Sequence, residues 1–581
     1  MGRTWVWAPR AKHVDLVLFP DGERIPMRAQ PRGYYEVEHP RVRPGQAYAF
    51  ALDGGEPRPD PRSQWQPEGV HGPSCWPDLG AFRWTDAGFQ AVPLSTAVIY
   101  ELHVGTFSPA GTFEGAIEYL PRLKSLGITH VEIMPVAHFS GSRGWGYDGV
   151  CLFAPHTAYG GPRGLQKFVD ACHAQGLAVI LDVVYNHLGP SGNYLSLYGP
   201  YFTSTYHTPW GDALNYDEAG SDEVRRFVCD NACHWLEHYH IDGLRLDAIH
   251  AILDLSATHV LAQMAQEVDE LSARLGRHFV LIAESGLNDP RIVLPEIGGG
   301  YALHSQWSDD IHHAIHAALT GERSGYYEDY GSIEQVAEAL LHGFVFRGQY
   351  SPYRDKRFGR STAGLRGRQF VGFIQNHDQI GNRAVGDRLS ATLGPDALKL
   401  AAALYLLAPF VPLVFMGEEW GSKRPFQYFT DHPEPDLAQA VREGRRREFA
   451  SFGWDPAEIP DPQDLATFEA STLDWSEAER GEHAELLRWY TALLAIRHQE
   501  PSLANDRLEA TSVAFDERAR WIRMQRGRVI LACNCGEEAC SVELPSAAGY
   551  ELALASGPEV VVRDTHVSLP RHGTAVLRLR G

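Results

Sequence analysis

Cysteine is scarce in this chain and is nowhere set at the spacing of a redox clip. Eight cysteines are spread over 581 residues, at 75, 151, 172, 229, 233, 533, 535 and 540, with no CxxC among them. A disulfide framework is therefore not expected, and reduced thiols point to the cytoplasm. Cys229 and Cys233 lie one helical turn apart, and CNCGEEAC spans 533–540. Either could hold a metal, and both read more simply as buried thiols. No apolar run has the length of a membrane span, and MGRTWVWAPRAKH lacks the apolar stretch of a signal peptide, so no membrane partner is expected. Basic residues are in deficit: 52 Lys and Arg against 73 Asp and Glu leave a net charge of −21. Such a surface repels nucleic acid. There is no short-period repeat, no low-complexity tract and no glycine-rich phosphate turn.

What is present divides into three parts. Residues 1–90 alternate in KHVDLVLF, YYEVEH and QAYAFAL, with a turn at Asp21–Gly22, and read as a small β-sandwich domain. The connector at 54–78 looks too polar and proline-rich for a core element. Residues 501–581 alternate again and read as a second β-sandwich domain. Between them, 91–500, apolar strand-like runs alternate with helical segments. The runs are 98–107, 130–136, 177–187, 243–248, 279–285, 301–307, 370–376 and 411–417. Eight strands with intervening helices are the count of a (β/α)8 TIM barrel carrying insertions, within a multidomain α/β chain.

Barrel active sites sit at the C-terminal ends of the strands. Here those ends carry Asp182, Asn186 and His187; Arg245, Asp247 and His250; Glu284; Trp307, Asp309 and Asp310; and His377, Asp378, Gln379 and Asn382. One acidic residue at a strand end is commonly a helix N-cap. Several on one rim are not explained that way.

Arg245 and Asp247 alternate with Leu244 and Leu246 and so share one face of a strand. A strand covered on both faces should be almost continuously apolar. The pair is then either an ion pair closing the barrel interior or a working carboxylate kept ionised by its counter-charge. Paired carboxylates cleave glycosides: one protonates the leaving oxygen, the other attacks the anomeric carbon or activates water. Glu284, behind the apolar run FVLIA, has the setting that raises an acid's pKa.

DVVYNH, GLRLDAIH, IAES and FIQNHD resemble, in order and spacing, the four signature regions of the α-amylase superfamily of glycoside hydrolases. The likeness spans the barrel and implies a retaining double displacement with no cofactor. It implies Asp247 as nucleophile, Glu284 as acid/base and Asp378 as the carboxylate that binds sugar hydroxyls. Arg245, His187 and His377 would hold the reacting sugar, Tyr147 in RGWGYDG would stack beneath it, and Asp182 would be a structural partner. His250, Trp307, Asp309, Asp310, Gln379 and Asn382 are expected at the rim as substrate contacts. The long calcium-binding insertion of amylases is absent, so no metal is expected.

Within the superfamily, the leading β domain, the WGYD-type motif and HLGPSGNYLSLYGPYF are similar to the branching-enzyme and trehalohydrolase group. Residues 58–74 and 417–449 resemble the trehalohydrolases. The implied partner is a malto-oligosaccharide ending in trehalose, and the implied reaction releases that trehalose to water. A glucan-branching transferase using the same acids and a catalytically inert glucan-binding barrel stay open.

Overall fold

The computed structural model describes residues 2–450, 459–545 and 549–580, with 448–450 by backbone alone. Residues 1 and 581, the outer limits expected for the terminal domains, lie outside the described residues, as do the side chains of 448 and 449 at the end of the second trehalohydrolase-like stretch.

All eight expected strands form, and they close into one parallel barrel. They are β1 (Ile99–Leu102), β2 (His130–Ile133), β3 (Ala178–Val183), β4 (Gly243–Leu246), β5 (Val280–Ala283), β6 (Ser305–Trp307), β7 (Phe370–Gly372) and β8 (Val411–Phe415). Each pairs with its successor, and β8 pairs with β1. Ile99, Ile180, Ile282, Val371, Phe373 and Leu413 belong to one buried cluster of strand side chains. Every strand is shorter than its apolar run. The run 177–187, for instance, pairs only through Val183 and then releases Tyr185, Asn186 and His187 into a buried loop.

Long amphipathic helices cover the barrel, among them Gly161–Ala174, Ser221–His238 and Val260–Leu275. Residues 113–126 fold as two helices, Phe113–Ile117 and Leu120–Leu126. Pro121 lacks an N–H and cannot continue a helix, so it starts the second one.

The N-terminal part holds two antiparallel sheets, Gly2–Trp7 with Tyr34–His39 and Arg28–Ala29, and Glu23–Pro26 with Val14–Leu18, Ala47–Leu52 and Ser74–Cys75. The C-terminal part is a five-stranded sheet facing a three-stranded one. Ile530, Ala532 and Leu577 of the first pack with Val542, Val567 and Leu569 of the second. Its strand Tyr550–Ala555 was not evident from alternation. The cysteines are free.

The connector at 54–78 is more deeply packed than its composition suggested. Ser63, Gln66 and Ser74 are buried. They satisfy one another and the local backbone: Ser63 Oγ donates to Gln66 Oε1 at 2.6 Å, and Gln66 Nε2 to the Gly69 carbonyl at 3.0 Å. Polar groups paired in this way can be buried at little cost. Arg62 bonds Asp230 at 2.9 Å, and Tyr198 Oη donates to the Pro59 carbonyl at 2.8 Å, fastening the connector to the barrel.

Candidate active site

Arg245 is the hub of the barrel mouth. Its guanidinium is fully buried and lies 4.2 Å above the centre of the Trp307 ring. Nη1 donates to both oxygens of Asp182, at 2.9 and 2.8 Å, and to Asp247 Oδ1 at 2.9 Å. Nη2 lies 3.4 Å from Glu284 Oε2. Burial alone would discharge the group, but Asp182, Tyr147, Glu284 and Asp247 hold its pKa well above the ordinary value. Strand register sets this up, because Asp182 on β3 pairs directly with Arg245 on β4.

Asp247 stands just past the end of β4. Its second oxygen accepts from Asn186 Nδ2 at 2.6 Å. The next residue, Ala248, has φ +38°, and this left-handed turn points its N–H to the Glu284 carboxyl. Glu284 ends β5. Burial, and then the charges of Asp247 and Asp378, raise its pKa to about 8 against the pull of Arg245. Asp378 is partly exposed and accepts from Asn382 Nδ2 at 3.2 Å. The centre therefore combines an anion fixed by a guanidinium and an amide with a neighbouring acid that keeps its proton at neutral pH. Those are the two protonation states acid-assisted nucleophilic displacement needs.

His377 lies between Glu101 and Tyr147. Its Nδ1 is 2.5 Å from Glu101 Oε1, its backbone N–H reaches Glu101 Oε2 at 3.1 Å, and its Nε2 is 2.8 Å from Tyr147 Oη. Burial depresses the imidazole pKa, but Asp378 and Glu101 outweigh it and raise it to about 9. Tyr147 Oη in turn donates to Asp182 Oδ2 at 2.6 Å. His187 bonds the Tyr147 carbonyl at 3.0 Å and stacks on Trp210 at 4.5 Å. Sequence reasoning missed Glu101 and Trp210. Glu101 was visible as an acid inside the first apolar strand. Trp210 sits at the tip of a hairpin, Phe202–Thr208 with Gly211–Leu214, whose alternation was overlooked.

The structure separates the six residues expected at the rim. His250 and Asn382 are exposed there, and Gln379 bonds Asp309 at 3.3 Å. Burial, then Asp378 and Asp310, push Asp309 up to about 7. Trp307 and Asp310 are elsewhere. Trp307 is buried beneath Arg245 as part of the barrel filling. Asp310 is buried and saturated: it accepts from Asn288 Nδ2, Tyr330 Oη and the backbone N–H groups of Val345 and Phe346. Asp310 has no free acceptor to offer a sugar, and the Trp307 indole N–H, though unpartnered, is buried.

The two trehalohydrolase-like stretches meet beside this site. His71 of the first bonds Glu434 of the second at 3.3 Å, and Ser191 of the loop after β3 bonds the same carboxylate. Asp431 accepts from Ser142 and Arg143, and the Gln427 carbonyl accepts from Trp145. The segment 417–449 therefore braces the loop that carries Tyr147.

Comparison with known proteins agrees with this geometry. Residues 81–208 match the alpha amylase catalytic domain, 3–65 the carbohydrate-binding module 48 (isoamylase N-terminal domain), and 506–576 a domain of unknown function, DUF3459. A malto-oligosyltrehalose trehalohydrolase of Rhizobium sp. (strain M-11) is 48% identical over 99% of this chain and 98% of its own. That of Arthrobacter ramosus is 48% identical over 99% of both. A 1,4-alpha-glucan branching enzyme of Rhodospirillum rubrum is 34% identical over 43% of this chain and 37% of its own. Among solved structures, a candidate alpha amylase from Salmonella typhimurium is 40% identical, with a TM-score of 0.90 over 99% of this chain and 97% of that one. Identity of this depth over nearly the whole length places the chain: it is a glycoside hydrolase and belongs to the malto-oligosyltrehalose trehalohydrolase family of the α-amylase superfamily.

Proposed function

We propose that the chain hydrolyses the α-1,4 bond between a maltodextrin and its terminal trehalose, with retention of configuration. The observation that carries the chemistry is that Asp247 and Glu284 touch one guanidinium, at 2.9 and 3.4 Å. Two carboxyls gathered on one guanidinium suit a retaining pair, whose carboxyls stand about 5 Å apart. Asp247 attacks the anomeric carbon while Glu284 gives its proton to the glycosidic oxygen, and trehalose leaves. Glu284, now ionised, takes a proton from water. The hydroxide so formed displaces Asp247 and frees the glucan. Asp378 and His377 bind sugar hydroxyls, and Tyr147 stacks beneath the ring.

Trehalose joins two glucoses anomer to anomer, so its shape differs from maltose beyond the scissile bond. His250, Asp309, Gln379 and Asn382 supply polar groups there, and polar groups that a bound sugar covers but does not pair discriminate against it. The eight free thiols support a cytoplasmic setting. The test compares malto-oligosyltrehalose with a plain malto-oligosaccharide of equal length. Preferential release of trehalose supports the reading. New α-1,6 branches without a rise in reducing ends would assign the chain to branching chemistry, and no reaction on either would assign it to glucan binding alone.

A further inference from the structure

We infer that Glu101 is a positioning residue for this reaction: through both carboxylate oxygens it fixes the ring of His377, keeps it doubly protonated and aims Nε2–H toward Tyr147 and Asp378. The inference rests on the hydrolase reading above. Glu101 lies on β1 and is buried, and it gives one oxygen to His377 Nδ1 and the other to the His377 backbone N–H. A carboxylate only accepts, so Nδ1 must carry a proton. At the other end of the ring, Tyr147 Oη spends its own proton on Asp182, which already accepts twice from Arg245. Nε2 must then donate to that oxygen, so it carries a proton too. With the Tyr147 proton on Asp182, both ring nitrogens donate and the ring is an imidazolium.

The charges facing the ring agree. Asp378 lies 3.5 Å from Nε2, Asp182, its pKa raised by burial to about 7, is one hydrogen bond away through Tyr147, and Arg245 is the one cation among these neighbours. Burial holds His103, on the same side of the barrel, at a pKa of about 4, and it is neutral. Glu132 pairs with Glu101 across β1 and β2, and neither of its buried oxygens has a hydrogen-bond partner. Burial, and then Glu101 and Asp182, keep Glu132 protonated. Glu101 is thus the carboxylate that balances His377 directly, and the chain of contacts runs from Glu101 through His377, Tyr147, Asp182 and Arg245 to Asp247.

Glu101→Gln keeps the shape but turns an NH2 group toward a backbone N–H or a ring N–H, so at least one bond is lost. The test is the titration of His377 in full-length protein carrying isotope-labelled histidine, with its signal assigned by its loss in His377→Asn. In the unsubstituted enzyme the ring should stay charged to about pH 9. In Glu101→Gln the midpoint should fall toward the ordinary ~6.5, leaving roughly thirtyfold less charged ring at about pH 8. On a glycosyl fluoride, which needs no acid from Glu284, kcat/KM should then fall on the alkaline side in the variant alone. A His377 that titrates near the ordinary value in the unsubstituted enzyme would overturn the inference, and this measurement depends neither on Glu101→Gln folding nor on any substrate. A variant slowed equally at every pH, with His377 unshifted, would overturn it as well. Product assays on malto-oligosyltrehalose judge the hydrolase reading separately.

Discussion

Arg245 is bound more fully to Asp182 than to Asp247: both oxygens of Asp182 lie within 2.9 Å of Nη1, but only one of Asp247 does. Asp182 therefore anchors the buried guanidinium, and Asp247 shares it. This division lets a reacting carboxylate become an ester without stranding a buried cation, which would cost several kcal/mol.

Asp247→Asn is accordingly expected to fold with little loss of melting temperature, since Arg245 keeps Asp182. Turnover should fall by far more than a hundredfold, because the glycosyl ester cannot form and enzymatic accelerations are about a millionfold or more. Single-turnover rates on a maltodextrin substrate check this. A variant retaining about a hundredth of the original rate would remove Asp247 from the nucleophile's role.

Glu284 sets the alkaline limit. Its carboxyl is raised to about 8, so it carries the proton below that pH and loses it above. Leaving-group protonation needs the protonated form, so kcat/KM for a natural glucan should fall as pH rises through about 8. Glu284→Gln should form the covalent intermediate far better with an activated aryl glycoside than with a glucan. Equal losses on both would show that the proton comes from elsewhere.

Asp310 is expected to matter for stability rather than binding. Asp310→Ala strands four donors that its carboxylate now receives, a cost of roughly 3 kcal/mol or more. Chemical denaturation should show that loss, while KM of the folded fraction stays near the original. A raised KM with unchanged stability would return Asp310 to the substrate.

Among the described residues, no group of three or more His, Cys, Asp or Glu is arranged to hold a metal ion. Chelator treatment is expected to leave both rate and melting temperature unchanged. A loss restored by added calcium would establish a metal site.

The barrel was legible because its strands are mostly apolar runs and most of its acids sit at or near their C-terminal ends. Asp182, Arg245, Asp247 and Glu284 could be placed at the mouth from that pattern, and their roles were implied by the family resemblance. What sequence could not give was depth. Asp309 and Asp310 are adjacent and chemically identical, yet one borders the site and the other is locked by four donors, because the first turn of the helix Asp309–Thr320 points them differently. The connector at 54–78 was misjudged for a related reason: composition records polarity, not whether polar groups find one another.

Glu101 and His377 stand 276 positions apart in the chain. A ribosome adding roughly 5–20 residues per second needs about 14 to 55 s to cover that interval of 276 residues. Asp247 and Glu284 are made in the later part of that interval, before there is a closed barrel to hold them. The last barrel strand, β8, pairs with the first, so the mouth is assembled only once nearly three quarters of the sequence has been made. Incomplete chains should therefore be inactive, and catalytic competence should arrive in a single late step of folding rather than growing with chain length.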